Sequence, residues 1–284
     1  MDIFITKADW GMEHLGDLDA RMAAIADAGF DGIECFFMAM DPARFRDRCR
    51  DLGLFYNGGI VAPTVDAFRA ELQRTLKCAP TLINCHGGRD YHTHNESVDF
   101  FTECMKIASE ETDTQVVFET HRRCNLYAPW VTEQLLDALP DLRICADFSH
   151  FTVVSKGNMT TSVAPEPDAN GMMAQMPDPR KEAMMAAAIS RTDHIHARVG
   201  DLHRPQCVDP RIGEGLKWTE LYEGWWDRIL ERAKTEGRPW MTINPEYGPV
   251  PYAPADPVTN IAISDPWELS VWAKDRLRKR YSNV

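Results

Sequence analysis

The sequence lacks a long apolar run, and this lack bears on where the protein resides. No stretch of the 284 residues approaches the roughly 20 apolar residues that a membrane-spanning helix needs. The chain begins Met1-Asp2-Ile3-Phe4-Ile5, without the basic segment and apolar core of a secretory signal. We therefore expect a cytoplasmic protein with no membrane partner.

Positive charge is also scarce. The chain carries 31 Lys and Arg against 43 Asp and Glu, a net charge of −12. Because phosphate groups are bound by clustered Lys and Arg, this balance argues against a nucleic-acid partner and against an anionic membrane surface.

No Cys-x-x-Cys pair is present among the eight cysteines. Their even number leaves disulfides open as an alternative. Several of them, however, fall inside apolar strand or helix patterns, in a long chain that shows no secretory signal. Buried free thiols in a reducing compartment are the preferred interpretation.

Three catalytic or nucleotide-binding motifs are missing as well. The sequence contains no Gly-x-Ser-x-Gly elbow of the serine hydrolases. It also has no phosphate-binding Gly-x-x-x-x-Gly-Lys-Ser/Thr loop. The third absence is a Gly-x-Gly-x-x-Gly turn after the first predicted strand, which weakens the case for an open, doubly wound sheet.

What the sequence does contain is an alternation of strand-like and helix-like segments from end to end. The predicted strands are residues 3–5, 32–37, 54–61, 82–85, 116–119, 142–147, 194–199 and 240–243. Each is followed by a segment with apolar residues at helical spacing. Eight such units favour a parallel sheet closed into a single-domain (β/α)8 TIM barrel that occupies residues 1–284.

The predicted connections are unequal in length. Those from helix to strand are short, whereas three from strand to helix are long, at residues 153–179, 201–218 and 247–265. In an α/β barrel the long ones lie together on the carboxyl face, where active sites are built. The segment 153–179 mixes methionines with Gly and Pro, so it predicts either a lid over a bound substrate or a passive insertion.

Four residues of metal-binding type stand where predicted strands 5 to 8 end. Glu119, Asp147 and Glu246 are carboxylates that follow short apolar runs, and His196 lies on strand 7. Each carboxylate alone is better explained by an ion pair, but the coincidence favours a shared divalent-metal site. One imidazole with three carboxylates suits Mn²⁺, Mg²⁺ or Co²⁺ and is compatible with Zn²⁺.

Further polar residues are expected near the same face. Arg198 lies two residues beyond His196, so both face the same way, and it either binds a substrate oxygen or pairs with a carboxylate. His150 and His86 are candidates for substrate contact or for further metal ligation. Glu34 on strand 2 is a candidate for substrate contact, for support of a ligand, or for an ion pair inside the barrel.

The pattern resembles a known family, the xylose isomerase-like TIM barrels. The resemblance rests on Phe118-Glu119, Ala146-Asp147-Phe148-Ser149-His150, His194-Ile195-His196 and Asn244-Pro245-Glu246, with Asp31-Gly32-Ile33-Glu34 as a weaker match. It implies that one metal ion is held by Glu119, Asp147, His196 and Glu246. It also implies that the two glutamates exchange protons with the substrate carbon and that His150 contacts substrate or metal.

The resemblance has departures. Asn125 stands where the ketose 3-epimerases of the family carry a second glutamate, and Ala197 follows His196 where they carry glycine. The implied activity is isomerisation or epimerisation of a small sugar or keto-sugar, a polyhydroxylated carbonyl substrate. A metal-dependent sugar dehydratase or lyase, a non-catalytic sugar-binding barrel and a DNA-repair enzyme are the alternatives. Assembly into a homo-oligomer is left open.

Overall fold

Eight parallel strands join edge to edge in chain order and close into a barrel in the computed structural model. The structure describes residues 1–36, 39–155, 159 and 179–282. The strands are β1 (Asp2–Ala8), β2 (Gly32–Cys35), β3 (Phe55–Ala62), β4 (Leu82–Gly87), β5 (Gln115–Glu119), β6 (Ile144–Ala146), β7 (Thr192–His196) and β8 (Trp240–Asn244). The predicted single-domain (β/α)8 TIM barrel is confirmed.

Helices follow the strands around the barrel. They are α1 (Leu18–Asp27), α2 (Pro42–Leu52), α3 (Val65–Leu76), α4 (His94–Glu111), α5 (Pro129–Ala138), α6 (Phe148–Ser155), α7 (Pro179–Ser190), α8 (Gly213–Thr235) and α9 (Pro266–Arg280). A short 3-10 helix, Glu13–Leu15, precedes α1. Helices α6 and α7 both lie between β6 and β7, so the described residues hold one helix more than the basic eight-fold pattern requires.

Local sequence signals place several helix ends. Helix α2 has the bounds that the sequence predicts, because Asp41 caps its first amides, Pro42 fits its first turn and Gly53 closes it in the left-handed conformation at φ 68°. Helix α4 starts with a capping box in which Thr93 and Glu96 satisfy each other's backbone amides.

Some predicted bounds were wrong. Strand 6 was expected at 142–147, but it spans only Ile144–Ala146, and helix α6 starts at Phe148, so residues 153–155 are helical rather than loop. Strand 7 was expected at 194–199, but β7 spans Thr192–His196, and Ala197 adds only one further bond, from its amide to the carbonyl of Asn244. Helix α8 starts at Gly213, inside a predicted loop. The sequence did not indicate this start because the glycine-rich first turn lacks an apolar pattern.

The end of predicted strand 2 and most of segment 153–179 lie outside the described residues.

Apolar side chains fill the space between the strands and the surrounding helices. Inside the barrel, the layer nearest the carboxyl ends of the strands is polar instead. Glu34 of β2 bonds to Asn84 of β4, to His194 of β7 and to Asn244 of β8, and none of these strands neighbours β2. These hydrogen bonds therefore cross the barrel interior, directly beneath the carboxyl ends of the strands.

All eight cysteines are buried, as expected. Within the described ranges, no helix combines the length and the apolar character that crossing a bilayer requires.

Candidate metal centre

The four residues predicted as metal ligands lie together at the carboxyl face of the barrel. One ligand atom from each of Glu119, Asp147, His196 and Glu246 can be chosen so that all four atoms fall within 4.8 Å of one another. Glu119 ends β5, Asp147 follows β6, His196 ends β7 and Glu246 follows β8. All four are nearly or fully buried. The parallel barrel thus gathers side chains from distant parts of the sequence.

The imidazole of His196 faces the cluster through Nδ1. This nitrogen lies 3.1 Å from Oε2 of Glu246 and 3.4 Å from Oε2 of Glu119. The other nitrogen, Nε2, lies 2.9 Å from Oε1 of Glu34. A carboxylate behind a ligating histidine fixes the ring and its tautomer, an arrangement found at many metal sites.

Glu34 therefore supports His196 from below. Its Oε2 lies 2.9 Å from Nε2 of His194 and 3.2 Å from Nδ2 of Asn244. Its Oε1 is shared by His196 and Asn84. Because both oxygens are taken up inside the barrel, this placement favours the supporting role over the substrate contact for which Glu34 was also a candidate.

The donor set fits a divalent cation. It offers carboxylate oxygens and one imidazole nitrogen, which suit Mn²⁺, Mg²⁺ or Co²⁺. Oε1 of Glu119 is buried and has no hydrogen-bond partner among the described residues, an unsatisfied acceptor that calls for a ligand. Burial acts to lower the pKa of His196, but the surrounding negative groups raise it well above its usual value. The cluster therefore attracts positive charge.

Arg198 is a cation that lies beside this cluster. Its Nη2 donates to Oδ2 of Asp147, and its Nη1 lies 3.5 Å from Oε2 of Glu246. The same Nη2 lies 2.9 Å from Nε2 of His150. Burial raises the pKa of Asp147 to about 6, although Arg198 opposes that shift. Arg198 thus offsets part of the negative charge while leaving three carboxylates around one imidazole.

His150 and His86 lie on either side of this cluster. Burial, helped by the charges of His121 and Arg198, holds the pKa of His150 well below its usual range, so the ring is neutral and accepts from Arg198. His86 lies 2.9 Å from Oε2 of Glu119 through its Nε2. Burial acts to lower the pKa of His86, but Glu119 raises it on balance. Both histidines are thus within reach of anything bound to the cluster.

The sequence did not indicate that two aromatic side chains, Tyr252 and Trp10, lie next to the site. Tyr252, in the loop after β8, has the guanidinium groups of Arg122 and Arg198 over its ring at 4.5 and 4.7 Å from the ring centre. Trp10 packs edge-on against the same ring, with the centres 5.0 Å apart. No periodic signal marks loop residues such as these. Asn84, in contrast, could have been found, because it precedes His86 by two residues on β4 and so shares its face.

Comparisons with known proteins give matches of fold alone. No protein-family model and no curated protein sequence matches the chain. A solved structure of an L-ribulose 3-epimerase superposes with a TM-score of 0.62 at 12% identity, covering 100% of this chain and 99% of that one. A probable 3-DHS dehydratase, AsbF from Bacillus anthracis, has a TM-score of 0.53 at 15% identity, with 87% and 93% covered.

A third solved structure is an AP endonuclease, family 2, from Brucella melitensis. It superposes with a TM-score of 0.55 at 14% identity, covering 88% of this chain and 93% of that one. All three neighbours are named as enzymes, and this chain shares their fold, with its barrel of eight parallel strands. In fold, this chain is a (β/α)8 TIM barrel similar to these three solved structures.

Proposed function

We propose that the protein is a divalent-metal-dependent enzyme that isomerises or epimerises a small sugar or keto-sugar by removing a proton next to the carbonyl group. The observation that carries the proposal is the pair of glutamates around His196. Oε2 of Glu119 and Oε2 of Glu246 lie 3.4 and 3.1 Å from the same Nδ1 atom. Two carboxylates beside one bound substrate suit a reaction that takes up a proton at one and delivers it from the other.

Glu119, Asp147, His196 and Glu246 would hold the metal. The bound cation would polarise the carbonyl and the neighbouring hydroxyl, making the adjacent C–H more acidic and stabilising the negative charge that develops on oxygen. His196 is kept in position by Glu34, whose carboxylate contacts Nε2 at 2.9 Å. Asp147 is fixed by the amide and hydroxyl of Ser149, both of which donate to its Oδ1.

The proton transfer is assigned to the two glutamates. Oε1 of Glu119 has no hydrogen-bond partner among the described residues, so a lone pair is open to accept the proton from the substrate carbon. Burial opposes ionisation of Glu119, but His86 and His196 outweigh it and hold its pKa well below the usual value. The carboxylate is therefore charged and able to act as a base. A protonated Glu246 then returns a proton to the other face, so the substrate keeps its number of protons, and exchange with solvent restores the starting state of both glutamates.

Arg198 and His150 are the proposed substrate-orienting residues. Both are buried beside the cluster and bonded to each other, so their positions are set before substrate arrives. Tyr252 covers the guanidinium of Arg198 and limits the access of water to it. Such preorganised donors favour the charge that develops on substrate oxygens during proton removal.

A dehydratase or lyase reaction is the second candidate. It starts with the same removal of a proton but then expels a hydroxyl group instead of returning the proton. One neighbour in fold is a probable 3-DHS dehydratase, which supports this alternative. The residues around Glu119 and Glu246 serve the first step of either reaction.

Incubation of the metal-loaded enzyme with a panel of ketoses and keto-acids in D₂O tests the proposal. Epimerisation predicts product with deuterium on the inverted carbon, and dehydration predicts an unsaturated product that has lost water. Absence of exchange into every panel member would contradict proton abstraction and favour a non-catalytic sugar-binding barrel. A parallel nicking assay on DNA with an abasic site tests the DNA-repair alternative.

A further inference from the structure

A second group of ligand-type side chains lies beside the cluster described above. One ligand atom each from His86, His121 and Cys124 can be chosen so that all three lie within 4.8 Å of one another. The rings of His86 and His121 stack with their centres 4.4 Å apart. Sγ of Cys124 lies 3.9 Å from Nδ1 of His121. Two imidazoles and a thiol form a softer donor set than the carboxylate cluster.

We propose that His86, His121 and Cys124 form a second transition-metal site next to the first, with Glu119 between the two. A Zn²⁺ ion has bonds of about 2.0 Å to imidazole nitrogen and about 2.3 Å to thiolate sulfur, so its tetrahedral donors lie about 3.3–3.6 Å apart. Sγ of Cys124 and Nδ1 of His121 lie 3.9 Å apart here. Thiolate and imidazole select Zn²⁺ over Mg²⁺ or Mn²⁺. The two sites thus differ in the metal that they prefer.

The chain holds His121 in the manner expected of a ligand. Its Nδ1 faces Cys124, while its Nε2 lies 3.2 Å from the hydroxyl of Tyr252. A hydrogen-bond partner on the ring nitrogen that does not bind the metal orients a ligating imidazole. Glu34 has this role for His196, where it contacts Nε2. His121 and Cys124 are also joined in a tight turn, in which the amide of Cys124 donates to the carbonyl of His121 over 3.2 Å.

That turn contains a strained residue. Arg123 has φ 70°, a left-handed conformation that is costly for a residue with a side chain. The strained residue lies between His121 and Cys124 and completes the turn that brings Cys124 back towards the ring of His121. Strain of this kind is concentrated at ligand-binding and catalytic positions.

A second link brings His86 to the same place. The amide of Asn125 donates to the carbonyl of Gly87, and Oδ1 of Asn125 accepts from the amide of Arg89. The loop after β4 is thereby tied to the turn after β5, which sets His86 against His121. Nε2 of His86 also lies 2.9 Å from Oε2 of Glu119, a ligand atom of the first cluster.

An ion can reach this site from solvent, since His86 and His121 are partly exposed while Cys124 is buried at the back. A competing thiol group, Cys145 with His194 and His196, is fully buried on all three residues. Nε2 of each of its histidines is already bonded to Glu34. We therefore assign the soft site to Cys124 and use Cys145 as the matched control.

Titration of the metal-free, full-length protein with Co²⁺ tests the assignment, because cobalt bound to thiolate gives a near-ultraviolet charge-transfer band that oxygen and nitrogen ligands do not. We expect this band in the wild type, its loss in Cys124→Ser and its persistence in Cys145→Ala. Persistence is also expected in His196→Gln, which removes a ligand of the first site only. A band that survives in Cys124→Ser would overturn the proposal.

Metal counting by mass spectrometry provides a second readout. The wild type should bind two Zn²⁺ ions per chain and Cys124→Ser one, with affinity for the second ion at least about tenfold weaker. Circular dichroism verifies the fold of each variant, and His86→Asn replaces Cys124→Ser if the latter does not fold. A wild type that saturates at one ion would also overturn the second site. These readouts do not depend on catalysis, so they stand or fall separately from the proposed reaction.

Discussion

The Nε2 atom of His196 lies 2.9 Å from Oε1 of Glu34, at the centre of the barrel. This contact decides which side of the ring faces outward, because it occupies Nε2 and turns Nδ1 towards Glu246 and Glu119. A negative charge behind the ring also makes the outward nitrogen a better donor to a cation.

Glu34→Gln should weaken metal binding by about 10- to 100-fold, because the amide no longer supplies the charge that orients and polarises His196. Isothermal titration with Mn²⁺ measures the change. Glu111→Gln is the matched control, since that side chain pairs with Arg69 at the surface and should leave the affinity unaltered. Equal affinities in Glu34→Gln and the wild type would show that Glu34 has no such role.

Glu119→Gln and Glu246→Gln should each lower turnover by about 100- to 10,000-fold, because each removes a group assigned to proton transfer. The assay is run at saturating metal, so that weaker metal binding does not account for the loss. Exchange of solvent deuterium separates the two residues, since each variant should still exchange from the face that its remaining carboxylate serves. Glu103→Gln, an exposed change on α4, is the control. Near-normal turnover in either variant would count against the mechanism.

Gly88→Ala should destabilise the protein by about 1–3 kcal/mol. Gly88 has φ 70°, and a Cβ added there would collide with the side chain of Asn125. Gly53→Ala is a close control, because Gly53 has φ 68° but nothing within 4 Å of its Cβ position. Urea unfolding should therefore show a larger loss for Gly88→Ala than for Gly53→Ala. Equal losses would mean that the contact with Asn125 contributes nothing beyond the backbone conformation.

Asp193→Asn should cost about 3 kcal/mol of stability at neutral pH, because it leaves three arginines around a buried site without their counter-charge. Oδ1 of Asp193 lies 2.6 Å from both Arg143 and Arg238 and 3.3 Å from Arg232. Denaturant unfolding measures the loss. A loss below about 0.5 kcal/mol would show that solvent screens the cluster as it does an ordinary surface pair.

The contribution of Asp193 should also depend on pH. Burial acts to raise the pKa of this carboxyl, but its hydrogen bonds to Arg143 and the nearby arginines lower it on balance. The unfolded chain therefore binds the proton more tightly, with a pKa of about 3.9. The stabilisation is complete above that pH and is lost as pH falls through the folded-state pKa. The difference in unfolding free energy between the wild type and Asp193→Asn should become smaller below about pH 4. A difference that stays constant with pH would contradict this role of Asp193.

The fold could be predicted because its signals are local and repeat along the chain. Apolar periodicity and capping residues such as Asp41 and Gly53 mark one element at a time, so eight strand–helix units were visible without knowledge of their packing. Helix α6 escaped detection because only Asp147 separates its first residue, Phe148, from the end of β6 at Ala146. Its residues follow the strand pattern without a break.

The grouping of the four ligand-type residues could be predicted for a topological reason. Carboxyl ends of neighbouring parallel strands must meet, so residues at the ends of β5 to β8 converge whatever their separation in sequence. Contacts that cross the barrel could not be derived in this way. The bond from Glu34 to His196 joins strands on different sides of the interior, and the place of Tyr252 depends on the path of a long loop.

The two ends of β7 carry separate tasks. Asp193, near its start, ties together three arginines, whereas His196 at its end faces the cluster of carboxylates. The two side chains belong to opposite faces of the sheet and are about 10 Å apart along the strand. Laboratory evolution could therefore alter one end of β7 without redesigning the other. Changes in the arginine contacts of Asp193 would serve heat tolerance, and changes around His196 would serve a new substrate. Such independence would make this barrel a practical scaffold for engineering.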